Sequence, residues 1–402
     1  MFDIKRKMGG ISPALLIGLF SLILAVLLYL FPTSPIAPPD GPNNVGFRTF
    51  EITNPSPIAI EGINYKDAEK IRLDMWYPAG DITGCERKSW IDKDPRLYKG
   101  FEIVAGYPAF LFKHLYQVRA NSYINAKPVK LDRKYPVVII LPGWSSISEL
   151  HTSLAELLAS YGYLVISIEH PGACTVVNFS DGSSYYFLGT NLPKELPNMS
   201  MEEAVELIAS YLAKDVDYII NFLKDLNNDE KSEFCDKIDF NSVALYGHSG
   251  GGAVALEYAL KGKEKITAVI LADPTTTPFP LEELEDGLPM SVLSIESEEW
   301  HKSASRHEKI AMICENTNSP SYCFRIQGTR HVDFAMVRQL SPLTYFLGET
   351  GKFMNKKNAL HLIDLAELYF LNSVFFDEPI SPLVQLIEKI PEFIGPDDFK
   401  NW

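Results

Sequence analysis

The stretch Ser242-Val243-Ala244-Leu245-Tyr246-Gly247-His248-Ser249-Gly250-Gly251-Gly252-Ala253-Val254-Ala255-Leu256 decides the fold. Its first five residues are an apolar run of strand length, and its last five are small and apolar, as in a packed helix. Between them, Gly-x-Ser-x-Gly puts a serine at the apex of a sharp strand-to-helix turn, the arrangement of a nucleophile elbow. Glycines belong there because the elbow serine occupies strained backbone, and a Cβ on its neighbours would meet the opposing helix and strand. The pentapeptide alone fits any glycine-rich turn. The flanking strand and helix give it meaning.

Outward from the elbow, strand-like and helix-like segments alternate. Tyr135-Pro136-Val137-Val138-Ile139-Ile140-Leu141 is a continuous apolar run, as expected of a strand buried on both faces of a parallel sheet. Further strands are expected at 71–77, 163–168, 267–272, 291–296 and, last, near 324–327. Leu150, Leu154, Leu157 and Leu158 predict a helix over 148–159. Ser200-Met201-Glu202-Glu203 has the form of a capping box and opens a long amphipathic helix to about residue 226. A final helix at about 358–372 closes the chain. This alternation predicts an α/β fold, with a mostly parallel central sheet and helices on both faces. Residues 80–134 read as an insertion or edge hairpin, and no second domain is expected. The segment 178–198, with Tyr185-Tyr186-Phe187-Leu188, fits either a lid over an apolar substrate or a packed loop.

The chain has 402 residues and a formal charge of −14. Residues 1–37 carry +2, so the remainder is near −16, which argues against nucleic acid as a partner. An uncharged, largely apolar run from Ala14 to Phe31 follows Lys5, Arg6 and Lys7. It approaches the roughly 20 residues that span a bilayer and exceeds the apolar core of a cleaved signal. The expected division is therefore a signal anchor over 1–31, a linker over 32–46 and a catalytic domain over 47–402. The basic flank keeps the N-terminus cytoplasmic and exports the domain; secretion after cleavage is the alternative. Pro32, Pro35, Pro38, Pro39 and Pro42 predict a semi-rigid spacer holding the domain off the membrane. Of the five cysteines, Cys314 and Cys323 are closest and flank a turn-rich stretch, so they are the expected disulfide in an exported domain. Asn178 and Asn198 begin glycosylation acceptor patterns that matter in a eukaryotic host. No Cys-x-x-Cys or His-x-x-x-His spacing suggests a metal, and no cofactor is expected. The oligomeric state is open.

A serine hydroxyl needs a base, usually His, oriented by a carboxylate, and in this fold the order is Ser, acid, His. Of the histidines after Ser249, His331 lies in Gly328-Thr329-Arg330-His331-Val332-Asp333-Phe334, directly after the expected last strand, where the base belongs. His301 and His307 fall in a polar stretch and read as solvated; His361 falls inside the terminal helix. For the acid, Asp273 ends the strand before Pro274, and Glu296 and Glu298 at the next strand end are the alternatives. Asp333 reads as a local loop contact. The oxyanion donors are expected at the N–H groups of Gly250 and Trp144, the latter in Pro142-Gly143-Trp144-Ser145, whose indole could also wall an acyl pocket.

Four blocks together resemble the platelet-activating-factor acetylhydrolase family of the plasma and isoform II type. They are residues 135–143, Ile168-Glu169-His170-Pro171, the elbow, and Ile326-Gln327-Gly328-Thr329-Arg330-His331. The resemblance runs over roughly residues 70–375. It implies an α/β-hydrolase fold and a calcium-independent esterase that releases short acyl groups from phospholipids or similar esters. It also places the acid some two dozen residues after the serine, which favours Asp273, and makes the glutamates of 294–300 non-catalytic. Two departures stand out. Pro142-Gly143 replaces the family's His-Gly, altering hydrogen bonding around the oxyanion loop, and Gly250 replaces a bulky residue, which should open the acyl pocket. The alternatives are a polyester or xenobiotic carboxylesterase, an acyltransferase, or a catalytically silent binding protein. The complete Ser, Asp, His set argues against the last.

Overall fold

The computed structural model describes residues 12–53, 70–188 and 199–396. In chain order the strands are β1 (Asn44–Thr53), β2 (Lys70–Ala79), β3 (Arg87–Ser89), β4 (Arg119–Ile124), β5 (Tyr135–Leu141), β6 (Leu164–Glu169), β7 (Val176–Asn178), β8 (Ser184–Tyr186), β9 (Ile238–His248), β10 (Ala268–Ala272), β11 (Ser291–Ser297), β12 (Ser321–Ile326) and β13 (Phe393–Ile394). All but β7 and β8, which pair with each other, join one sheet in the order β13-β12-β11-β10-β9-β5-β6-β2-β1-β4-β3. From β12 to β6 the pairing is parallel. β2 is antiparallel to β6 and to β1, and β13 is antiparallel to β12. The longer helices are α1 (Pro13–Leu30), α2 (Pro95–Ala105), α3 (Thr152–Ser160), α4 (Met201–Asn228), α5 (Gly250–Lys261), α6 (Ala304–Asn316), α7 (Ala359–Phe375) and α8 (Ser381–Lys389).

Every residue of β5 is buried, because both faces of the sheet are covered. Val138 and Ile140 point into the layer with α3 and α7, while Val137, Ile139 and Leu141 pack toward α4 and α5. Each such side chain contributes about 2 kcal/mol of burial. α4 begins with the expected capping box: Ser200 Oγ accepts from Glu203 N–H at 3.1 Å, and Glu203 Oε2 accepts from Ser200 N–H at 2.7 Å. Cys314 and Cys323 form a disulfide between α6 and β12.

Two features, the chain's end and the proline-rich segment, differ from the sequence reading, and two others fill it in. Residues 80–134 supply β3, α2, a 3₁₀ stretch at Ala109–Gln117 and β4, which extends the sheet by pairing parallel to β1. The chain does not close with α7: α8 and the short strand β13 follow, so the strand near 324–327 is not the last. The proline-rich segment is not a free spacer. Ile36 N–H donates to Arg119 O at 3.0 Å, and the Asn121 amide donates to Ile36 O and Ala37 O at 3.2 and 3.0 Å. Ser341 Oγ also donates to Leu30 O at 2.7 Å, and the Phe31 and His114 rings meet edge-on. Backbone that cannot pair within itself has found partners on the body. Finally, residues 176–188 form a packed hairpin whose end is fixed by Phe187 N–H and Leu188 N–H bonds to Thr175 O and Gly172 O. The rest of the segment read as a lid or loop, 189–198, lies outside the described residues, as do Asn198 and the basic flank of α1. α1 is exposed from Pro13 to Tyr29 and is long and apolar enough to cross a membrane.

Candidate active site

The turn between β9 and α5 holds Ser249 at φ +56°, ψ −120°. Such a conformation costs a non-glycine residue on the order of 1–3 kcal/mol and persists only where the surroundings dictate it. The surroundings do so here. A Cβ on Gly251 would lie 1.9 Å from Leu141 O, and one on Gly247 would lie 2.6 Å from Gly251 O. Ser249 N–H donates to Ala272 O and Ser249 O accepts from Thr275 N–H, which ties the turn to the end of β10.

Three of the residues expected from the sequence meet at the C-terminal edge of the sheet. His331, in the short 3₁₀ turn His331–Phe334 after β12, places Nε2 2.8 Å from Ser249 Oγ and Nδ1 3.2 Å from Asp273 Oδ2. Asp273 follows β10 at φ +44° and is wholly buried. Burial pushes its carboxyl up, while Ser297 opposes this by donating its N–H to Oδ1 at 2.6 Å and its hydroxyl to Oδ2 at 2.5 Å. Desolvation lowers His331 to about 4; Glu299 pulls it upward and Arg306 downward. The imidazole is therefore neutral at pH 7 and can accept a proton. His248 and His151 behind it are pushed down to about 3, chiefly by burial, so they add no charge.

The two alternative acids do not reach His331. Glu296 Oε2 is bonded to His301 and His307, and Glu298 binds Gly328 N–H at 2.7 Å and Lys302 at 3.1 Å. His301 and His307, read as solvated, are thus partnered. Asp333 Oδ2 accepts from Arg330 N–H and Gly351 N–H, a loop contact.

Trp144 lies over the elbow. Among the described residues, neither its N–H nor that of Gly250 has a partner within the protein, so both remain free for a ligand oxygen. Pro142 leaves the loop well held: Ser145 N–H donates to Ala173 O, the Thr175 hydroxyl to Ser145 O, and Ser146 N–H to Gly143 O. Gly250 does not open the pocket as expected. A Cβ there would lie 2.7 Å from Trp144 Cδ1 and Cγ, so the indole occupies the space a larger residue would take. Trp300 was not singled out by the sequence. Its ring stacks on His331 at 4.0 Å and 8°, the Arg306 guanidinium covers its other face at 3.7 Å, and its Nε1 donates to Pro274 O. Glu299 Oε2 accepts from His331 N–H at 3.0 Å. The only hint was position, since both residues directly follow a strand end at the sheet's active edge.

Two family models match the chain. The platelet-activating factor acetylhydrolase, isoform II, matches residues 34–186, and the alpha/beta hydrolase fold matches 136–296. A platelet-activating factor acetylhydrolase of Cavia porcellus is 26% identical over 82% of this chain and 79% of its own length. One from Gallus gallus is 23% identical over 76% and 78%. Among solved structures, a ferulic acid esterase from Streptomyces cinnamoneus superposes with a TM-score of 0.70 at 19% identity, covering 90% of this chain and 99% of its own. The last likeness speaks for the fold. The others bear out the family resemblance carried by the four sequence blocks.

Proposed function

We propose that this chain, a carboxylic ester hydrolase similar to the platelet-activating factor acetylhydrolases, removes a short acyl group from a phospholipid-type ester through an acyl-enzyme on Ser249. Neutral His331 takes the Ser249 proton at Nε2 as Oγ attacks the ester carbonyl carbon, and Asp273 holds the Nδ1–H tautomer. The developing oxyanion accepts from the N–H groups of Gly250 and Trp144, each worth about 3–4 kcal/mol in such a site. The imidazolium gives its proton to the leaving alcohol. Water, deprotonated in turn by His331, then attacks the acyl carbon; as the bond to Oγ breaks, the imidazolium returns its proton to Ser249 and the acid departs. The observation that carries this reading is His331 bridging Ser249 at 2.8 Å and Asp273 at 3.2 Å. The Trp144 indole over Gly250 supports a short acyl group, because it narrows the space beside the nucleophile.

We assign residues 1–31 to a membrane segment and start the catalytic domain at Asn44, where β1 begins, rather than at 47, with residues 32–43 lying along the body instead of forming a free linker. α1 is an uncleaved anchor, and the domain lies on the extracytoplasmic side. Lys5, Arg6 and Lys7 before the apolar run support that orientation. Contacts of Leu30 and Phe31 bring the end of α1 to the segments 109–117 and 341–347, where Phe110, Phe346 and Leu347 are exposed. Apolar side chains there favour a domain resting against lipid.

The direct test is fluorophosphonate labelling of the full chain in detergent beside Ser249→Ala. Labelling of the wild type alone is expected, and an unlabelled wild type would sink the proposal. A p-nitrophenyl ester series then reads acyl length. Acetyl and propionyl should exceed decanoyl at least tenfold, and the reverse order would overturn the short-acyl assignment.

A further inference from the structure

The end of β11 carries a second cluster on the opposite side of Ser297 from the acid it holds. Glu296 Oε2 lies 3.1 Å from His301 Nδ1 and 2.9 Å from His307 Nδ1. The two imidazole rings meet edge-on with centroids 4.2 Å apart. His301 closes the short helix Glu298–His301, and His307 lies in the first turn of α6, so three separate elements converge on one point. We propose that Glu296, His301 and His307 form a binding site for one borderline divalent transition metal of the zinc class.

Plain hydrogen bonding accounts poorly for this arrangement. Two imidazole donors would spread over the two carboxylate oxygens, yet both address Oε2. Glu296 is 5% exposed, and its Oε1 is buried without a hydrogen-bond partner among the described residues. A carboxylate oxygen left so costs about 1–3 kcal/mol or more. A divalent cation at the focus of the three ligand atoms offsets that cost by neutralising the whole carboxylate. Two imidazoles and one carboxylate suit zinc and its neighbours, whereas calcium and magnesium prefer all-oxygen shells. Access exists as well, since the cluster lines a surface cleft of about 580 Å³ and His307 is nearly half exposed. Arg325, the β12 register partner of Glu296, lines the same cleft but makes no ion pair with it among the described residues.

A second convergence of ligand-type atoms, Asp74, Glu149 and Glu169, shows the contrast. There the Arg72 guanidinium lies 3.4 Å from both Asp74 and Glu169, and buried Lys88 adds a second positive charge beside Glu149. The protein supplies the cations at that cluster itself. At Glu296, among the described residues, no lysine or arginine lies within ion-pair distance, and its partners are the two imidazoles.

The test strips the full-length protein of metal in detergent, adds zinc, desalts it and measures retained zinc by mass spectrometry. Wild type should keep about one zinc per chain and gain thermal stability on loading. His301→Asn/His307→Asn should keep at least tenfold less and gain none. Cobalt should give the intense visible bands of a low-coordinate site in the wild type only. His307→Asn alone, at a half-exposed position, serves as the folded control, judged by circular dichroism, and should weaken zinc retention in the same direction. The proposal fails if wild type holds no more zinc than the variants, or if the cobalt spectrum matches that of the hydrated ion.

Discussion

His331 is constrained on every side that matters for proton transfer. Ser249 and Asp273 hold its two ring nitrogens, Trp300 covers one face, and Glu299 accepts from its backbone N–H. Because burial lowers the imidazole to about 4, the proposed base is unprotonated above that pH. kcat/KM should therefore rise with pH through a limb near 4 and stay flat to neutrality; a limb above 6 would contradict a neutral buried base. Trp300 stacks on His331, so its expected role is to position the proposed base. Trp300→Ala should lower kcat about tenfold while KM moves less than about twofold, and Trp300→Phe should restore most of the loss. Gly251 is the least replaceable residue of the elbow. Its Cβ would strike the Leu141 carbonyl, which belongs to a buried central strand that cannot yield. Gly251→Ala should cost several kcal/mol in urea unfolding, on the order of 3 or more, and a change below about 1 would refute the argument.

At the scale of elements, β5 and the second half of β9, Val243 onward, are legible in the sequence because strand backbone buried on both faces carries apolar side chains. The capping box announces α4 for an equally local reason, as Ser200 and Glu203 satisfy each other's backbone. β3 and β13 carry no comparable signal. Arg87-Lys88-Ser89 becomes a strand because β4 offers hydrogen bonds, and Phe393-Ile394 because β12 has a free edge. The Cys314–Cys323 bridge joins α6 to β12 across nine residues. Closing so short a loop contributes about 2–3 kcal/mol on the chain-entropy account. Cys314→Ser/Cys323→Ser should lower the unfolding free energy by that amount, and indistinguishable urea midpoints would show that the bridge adds nothing.

For the whole molecule, the proposed uncleaved anchor makes a prediction that membrane fractionation checks. If α1 stays attached, the full chain should remain in the membrane pellet after alkaline carbonate extraction, and appearance in the supernatant would favour cleavage and release. The proline-rich segment, read as a stand-off, instead lies along the body through Ile36 and Ala37, so little free chain separates α1 from the domain. That contact was hidden because prolines announce extension but not what the extended chain touches. The sequence by itself determined the α/β plan, the serine at the elbow, the chain order of Ser249, Asp273 and His331 that the fold brings together, and an apolar segment long enough to cross a bilayer. Each of these rests on local patterning: periodicity, glycine at strained backbone, and the length of an apolar run. Only the tertiary structure decided that Glu296 turns toward His301 and His307 while Asp273 turns toward His331, that Trp300 stacks on the base, and that Trp144 fills the space above Gly250. Those outcomes depend on which side of a strand end a side chain leaves from and on what another element has already placed there. No spacing along the chain records that.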